Sequence, residues 1–359
     1  MTFAMTKLIT IVSYREGSRP GMTKHRLYRM ISRQSIAILA WGYLVLVLAS
    51  WAMLWLAGDR WWPATVLTFG PRWLVLLPLP VLTLPALLFD RRLLAPVLLA
   101  AALGAGPVMG FCVSWSSLTG ATPAESAPLL RVMTYNAGEG GNDPDVVGGF
   151  IKRERPDVLI VNEWPTAAND LLPRLPQGWH VAEHQTTVVF SRYPIKSVNK
   201  LGPDRFRKPW RAPALQCELA SPAGTICVVG LHLETPREGL EAIRGSLWKA
   251  GAEMEQTTED RRRESELASQ LAAESIGPVI VAGDFNMPVD SALYDRYWST
   301  WQNAFSIAGL GYGQTKFTRF FGVRIDLVLA SWEWQILTAR VGPNLGGDHR
   351  PVLVDLQLR

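Results

Sequence analysis

From Ser35 to Ala57 the chain runs 23 residues without a charged side chain. At about 1.5 Å per residue such a helix outspans a hydrocarbon core roughly 30 Å thick, so this segment is expected to cross a membrane. Trp61–Phe89 carries a single charge, Arg72, and is punctuated by Pro63, Pro71, Pro78, Pro80 and Pro85, which predicts one kinked span over 64–89. Leu93–Trp115, containing Pro96 and Pro107, predicts a third, because proline is tolerated where neighbouring helices re-satisfy the freed backbone groups. The chain is therefore divided into a basic leader (1–34), a transmembrane region of three helices (about 35–57, 64–89 and 93–115), a linker rich in Ser, Thr, Ala and Pro (116–128), and a domain over 129–359.

Charge orients these pieces. The leader holds Lys7, Arg15, Arg19, Lys24, Arg26, Arg29 and Arg33, and Arg91 and Arg92 follow the second span, whereas the first loop offers Arg60 and the linker no cation. A polar leader of this length ahead of repeated apolar stretches does not read as a cleaved signal peptide. Positive charge is retained on the cytoplasmic side, so the leader is expected in the cytoplasm of a plasma (inner) membrane, against anionic headgroups, and the C-terminal domain outside it. Should the Pro-rich second stretch turn back instead of crossing, the domain would stay in the cytoplasm. The overall +5 splits unevenly: residues 1–130 carry 11 cations and 4 anions, residues 131–359 carry 25 and 27. A domain near −2 lacks the phosphate-neutralising charge of a general nucleic-acid binder.

Within the domain, short apolar runs recur at Leu130–Tyr135, Val158–Val161, Thr187–Phe190, Ala214–Leu219, Ile226–Leu231, Val279–Ala282, Ile325–Leu329 and Val352–Leu356. They read as strands of an α/β fold, with helices predicted over Pro144–Arg153, Gly239–Ala252 and Asp260–Ser275. Hairpin-like pairs make the sheets mixed. Cys217 and Cys227 flank such a hairpin loop, as two buried thiols or as a strained cross-strand disulfide, and Cys112 falls in the third span. The runs repeatedly hand over to polar groups: Tyr135 to Asn136, Asn162 to Glu163, Leu231 to His232, Gly283 to Asp284 and Asn286. Asp326 sits inside an apolar strand, and Asp348-His349 precedes the last one. Each residue alone has a bland role as a turn cap, a helix start or a satisfied core group. A carboxylate inside an apolar strand, however, needs a partner. Asp284 and Asn286, two apart, would project to the same side in extended geometry and hold a water molecule.

Seven ordered motifs, Met133-Thr134-Tyr135-Asn136, Asp157 to Glu163, Ser191-Arg192-Tyr193-Pro194-Ile195, Leu231-His232-Leu233, Gly283-Asp284-Phe285-Asn286, Ile325-Asp326 and Asp348-His349-Arg350-Pro351, resemble those of the endonuclease/exonuclease/phosphatase superfamily. Its members include deoxyribonuclease I-like enzymes, abasic-site endonucleases, inositol-polyphosphate phosphatases and neutral sphingomyelinases. The resemblance implies a four-layer sandwich of two mixed β-sheets flanked by helices, here preceded by a bundle of about three transmembrane helices. It also implies a membrane-anchored, Mg²⁺-dependent hydrolase of phosphoester bonds, with Mn²⁺ as a substitute ion. By the same resemblance Glu163 is the principal metal ligand with Asn136 and Asp348 beside it. Asp284 and Asn286 would orient the attacking water, and His349, paired with Asp326 or Asp348, would stabilise the transition state or shuttle a proton. His232 would hydrogen-bond a phosphate oxygen or protonate the leaving group. The substrate would be a lipid headgroup, a nucleic acid or a small phosphodiester; the Gly230 to Glu234 segment disfavours the abasic-site branch. The basic, aromatic segment Lys196–Arg211 either grips phosphate or is a solvated loop, and Asp260–Glu266 reads as an exposed helix face. The alternative is a catalytically inactive membrane interaction protein that keeps the fold.

Overall fold

The computed structural model describes residues 24–114 and 128–359, apart from 139–141, 209–211, 223, 244 and 246. The leader as far as residue 23, nearly all of the linker, and Trp210 and Arg211 of the basic segment lie outside the described residues. Two compact units are present: the chain up to Ala49 with Val75–Gly104, and Ser50–Leu74 with Ala105–Arg359.

The first unit is built from α1 (Lys24–Ala57), which runs on into the second unit, and from α3 (Pro78–Phe89) and α4 (Leu94–Leu103). Three stretches, Arg33–Ala57, Arg72–Phe89 and Arg91–Val108, are long and apolar enough to cross a membrane. Their bounds differ from expectation in two places. The predicted 64–89 helix is broken, because α2 (Trp62–Phe69) closes at Gly70 and Pro71 cannot continue it. The predicted 93–115 helix stops early: Gly104, Gly106 and Pro107 loosen it, and Cys112–Val113 instead pairs antiparallel with Leu310–Gly311. Cys112 therefore belongs to a strand of the second unit.

In that unit, β1 (Leu129–Asn136), β2 (Val158–Asn162), β3 (His180–His184), β4 (Thr187–Ser191), β11 (Trp334–Val341) and β12 (Val352–Leu358) form one six-stranded sheet, ordered β11-β12-β1-β2-β4-β3. The other contains β5 (Ile195–Lys200), β6 (Ala214–Ser221), β7 (Gly224–His232), β8 (Val279–Asp284), β9 (Gln302–Asn303) and β10 (Asp326–Ala330), ordered β9-β10-β8-β7-β6-β5. The pairs β1·β2 and β7·β8 are parallel and the rest antiparallel, as expected of mixed sheets. Val132, Ile160 and Val354 of one sheet meet Val228, Ile280 and Val328 of the other in a shared apolar core. The outer face of the first sheet packs under α5 (Pro144–Glu154) through Phe150 and Ile151; that of the second packs under α6 (Leu247–Ala273) and α7 (Ala292–Trp298) through Ala268 and Trp298. Both sheets are thus covered on both faces, which is why their central strands are apolar runs rather than alternating ones.

The strands with weak sequence signals are those with an open side. β5 has five exposed residues out of six at its sheet edge, and β11 alternates and carries a bulge between Ile336 and Thr338. The helix predicted over Gly239–Ala252 resolves into Arg237–Ala242 followed by α6, which absorbs the separately predicted Asp260–Ser275. Cys217 lies opposite Val228 and Cys227 opposite Glu218, so the thiols point to opposite faces of the sheet and are free. Burial pushes the Cys217 thiol up to about 12, and it behaves as a core hydrophobe.

Candidate active site

Register brings the strand-end residues together. In the second sheet His232 lies opposite Asp284, and Asp284 opposite Asp326; in the first, Asn136 lies opposite Asn162. The two ends are then stitched across the sandwich. The Asn136 amide donates to Glu163 at 3.0 Å and to Asp284 at 2.8 Å, while the Asp284 backbone N–H donates to the Asn162 side-chain oxygen at 3.2 Å.

Backbone conformation sharpens the turn out of each strand. Gly283 has φ +146°, and a β-carbon there would come 1.9 Å from the Leu231 carbonyl oxygen, so only glycine lets β8 approach β7 this closely. Glu163 (φ +56°) and Asn286 (φ +48°) are left-handed, a conformation that costs a non-glycine residue about 1–2 kcal/mol and is retained where surroundings over-determine it. This corrects the expected extended geometry, because β8 ends at Asp284 and Asn286 lies beyond it. The Asn286 backbone N–H donates to the Asp284 Oδ1 at 2.8 Å, and its side-chain amide donates to the Leu233 carbonyl at 2.8 Å, so Asn286 braces Asp284. Phe285 is locked edge-on against Trp298 with ring centroids 5.1 Å apart.

Two histidines complete the cluster. His349 Nδ1 lies 2.7 Å from Asp326 Oδ2, while its Nε2 is 3.9 Å from both Asp284 and Asp348. Burial opposes charge on His349, yet the Asp326 charge and hydrogen bond, followed by the Asp284 charge, push its pKa up to about 9. His349 is thus the partner that the in-strand carboxylate of Asp326 required. His232 Nε2 lies 3.2 Å from Glu163, and its Nδ1 is 2.7 Å from the Thr186 hydroxyl. Burial alone would raise the Glu163 pKa; the His232 hydrogen bond and charge, the Asn136 amide and the His349 charge outweigh it and hold Glu163 well below the usual carboxylate range. Asp284 is raised to about 6, first by burial and then by the Asp326 charge.

Glu163, His232, Asp284, Asn286, Asp348 and His349 line one cleft of about 860 Å³. Asp348 stands apart from the carboxylates: it is ion-paired with Lys316 and its side chain is 44% exposed. Among the described residues, ligand atoms of Glu163, His232 and Asp284, and of Asp284, Asp326 and His349, lie within 4.8 Å of one another. Asp326 Oδ1 is buried with no hydrogen-bond partner. Hard carboxylate oxygens with imidazole support, one of them an orphan, fit a divalent cation.

Asn162, Thr186 and Lys316 escaped the sequence-based assignment. Asn162 was signalled by its place beside Glu163, whereas Thr186 and Lys316 come from loop and ribbon positions with no pattern. In the basic segment two cations are ion-paired within the domain: Arg207 with Asp260, and Lys208 with Glu234 and Glu238. The Asp260–Glu266 face is laced as expected by Arg262–Glu259 and Arg263–Glu266, but Arg261 turns inward and is fully buried on Asp59.

Two mixed sheets that converge on one acid- and histidine-lined cleft define an α/β-sandwich of the phosphoesterase type. The model of the endonuclease/exonuclease/phosphatase family matches residues 133–349, more than half of the chain, and the chain belongs to that family. Its members are generally phosphoester hydrolases. Among solved structures, the family protein from Leptotrichia buccalis C-1013-b is 14% identical, with a TM-score of 0.50, over 63% of this chain and 99% of that one. The protein from Beutenbergia cavernae DSM 12333 is 19% identical, with a TM-score of 0.48, over 64% and 72%. The protein from Bacteroides vulgatus is 18% identical, with a TM-score of 0.48, over 65% and 100%. No curated protein matches the chain.

Proposed function

We propose that this chain is a membrane-anchored, Mg²⁺-dependent hydrolase that cleaves a phosphodiester or phosphomonoester by in-line attack of water, outside the cytoplasm. The observation that carries the reading is the convergence of Glu163, Asp284 and His349, the last held by Asp326 behind it, on one cleft. Glu163, held ionised, would bind the ion, with Asn136 bracing its carboxylate, and Asp348, paired with Lys316, lines the same cleft. The bound ion would polarise the phosphoryl oxygen and offset charge on the leaving oxygen. Asp284 would accept the proton of the attacking water, since a carboxylate near 6 is ionised at neutral pH yet basic enough to take one. Asn286 fixes that carboxylate, and Asp326 keeps His349 protonated, with Nε2 available to a phosphoryl oxygen. His232, between Glu163 and Thr186, would hydrogen-bond the phosphate or donate to the leaving group.

The full-length protein in detergent is assayed on bis-p-nitrophenyl phosphate with Mg²⁺ or Mn²⁺. Asp284→Ala and His349→Ala are each expected to lower kcat by about a hundredfold or more. Turnover unaffected by both changes would sink the assignment, and absent turnover in the parent would favour the inactive interaction protein. Alkaline phosphatase fused after Arg359 is expected to be active, as three crossings require; a silent fusion at normal expression overturns the placement.

A further inference from the structure

The cleft has a wall that the strand motifs do not supply. Phe69, the last residue of α2, lines it together with Leu240, Phe317, Phe321, Val323 and Ile325. The cleft therefore has an apolar part beside its charged one, and one of its aromatic rings comes from the segment that joins two candidate membrane spans.

That segment is fastened down rather than draped. Asp59, left-handed at φ +60°, is buried with its carboxylate 2.8 Å from the equally buried Arg261 guanidinium and hydrogen-bonded by the Ser291 hydroxyl at the N-terminus of α7. The same guanidinium stacks over the Phe69 ring, 5.3 Å from its centroid. Arg72 closes the other end through a two-pronged pair with Asp290, one arm at 2.9 Å, and by donating to the Thr68 carbonyl at 2.7 Å. A buried ion pair adds little net stability, but separating its partners strands a charge, so Asp59 and Arg261 hold each other in place and with them the ring that the guanidinium covers.

The chain also limits how far this wall can lie from the bilayer. Arg72 opens the second candidate span, three residues after Phe69, and three extended residues reach at most about 11 Å. Trp55, Trp61 and Trp73, at the ends of the two candidate spans and in the segment between them, are 58%, 55% and 39% exposed, as expected of rings at a membrane interface.

We infer that the Phe69 wall receives the apolar chain of an amphiphilic phosphoester drawn from the membrane, and that the Asp59–Arg261 pair positions it. This inference rests on the hydrolase reading above and narrows it from any phosphoester to a membrane lipid. Phe69 is a specificity-determining residue, and Arg261 a positioning residue acting through it.

The test uses the full chain in nanodiscs and methyl, butyl and hexyl p-nitrophenyl phosphate, which share one leaving group and differ in apolar length. Each buried methylene is worth up to about fourfold, so kcat/KM is expected to rise by about thirtyfold or more from methyl to hexyl. Phe69→Ala and, independently, Phe321→Ala should collapse that ratio to below about fivefold, and Phe69→Leu should restore most of it. Hexadecyl p-nitrophenyl phosphate embedded in the same nanodisc should be hydrolysed faster than the soluble methyl ester. A hexyl-to-methyl ratio near one in the parent, or a ratio untouched by both alanine variants, overturns the inference while leaving the hydrolase standing. Binding is read separately, by calorimetry with methyl and hexyl phosphate. Tighter, Phe69-dependent binding of hexyl phosphate without turnover supports the wall and refutes the hydrolase; equal binding refutes the wall.

Discussion

Asp326→Asn isolates the electrostatic heart of the site. The substitution keeps size and one acceptor but removes the charge and the 2.7 Å ionic hydrogen bond that dominate the rise of His349 to about 9. Holding an imidazole protonated from its ordinary value near 6.5 up to about 9 corresponds to roughly 3 kcal/mol of preferential interaction. Both side chains are buried, so solvent screening does not erode this figure much. With the charge gone, burial, the largest opposing influence, should carry His349 to or below its ordinary value, leaving it neutral at pH 7.5. The assay is the pH dependence of kcat/KM on bis-p-nitrophenyl phosphate. The parent should lose activity on the basic side near pH 9; in the variant this limb should move below neutrality, with activity at pH 7.5 reduced by about a hundredfold or more. An unchanged basic limb in Asp326→Asn would refute the claim that protonated His349 serves the reaction.

The same pair sets a stability prediction for protein kept in EDTA. Because the folded pKa of His349 is raised, its contribution is fully present below about 6.5 and is lost as pH rises through about 9, so the melting temperature should fall over that window in the parent and less so in Asp326→Asn. Glu163 behaves oppositely: its depressed pKa makes its contribution present above the ordinary glutamate value and lost on acidification, and Glu163→Gln should flatten the acid side of the same curve. Gly283→Ala should lower stability by about 3 kcal/mol or more, read as a fall in the thermal midpoint, because its β-carbon meets backbone that cannot retreat. Arg261→Ala strands the buried Asp59 carboxylate and should cost about 3–5 kcal/mol, with limited proteolysis reporting early release of the 59–74 segment.

Much of the candidate site was written in the sequence because polar groups at strand ends leave a local signature: an apolar run that stops at a polar residue. Asn136, Glu163, His232 and Asp284 carry it, while Asp326 opens β10 and His349 precedes β12. What escaped depends on contacts far along the chain. Hydropathy merged Trp62–Phe69 with a membrane span, since an amphipathic pattern is invisible in an eight-residue helix that is apolar all round and finds its partner nearly two hundred positions away. Arg261 reads as surface among Asp260, Arg262 and Arg263, and only Asp59 makes its burial tolerable. The cysteines flank one hairpin loop, yet a one-residue offset in register sends them to opposite faces. The weak edge strand β5 lacks an alternating pattern because almost none of it is buried.

On the proposed function, side chains spread over more than two hundred positions make one pocket that grips a divalent ion for hydrolysis. Electron paramagnetic resonance of Mn²⁺ titrated into the full-length protein tests this directly. The expected result is a bound Mn²⁺ that Mg²⁺ displaces and that Glu163→Gln weakens by at least about tenfold to a hundredfold, the cost of losing even an outer-shell partner, while the melting curve stays cooperative. Mn²⁺ affinity identical in the parent and in Glu163→Gln would contradict it.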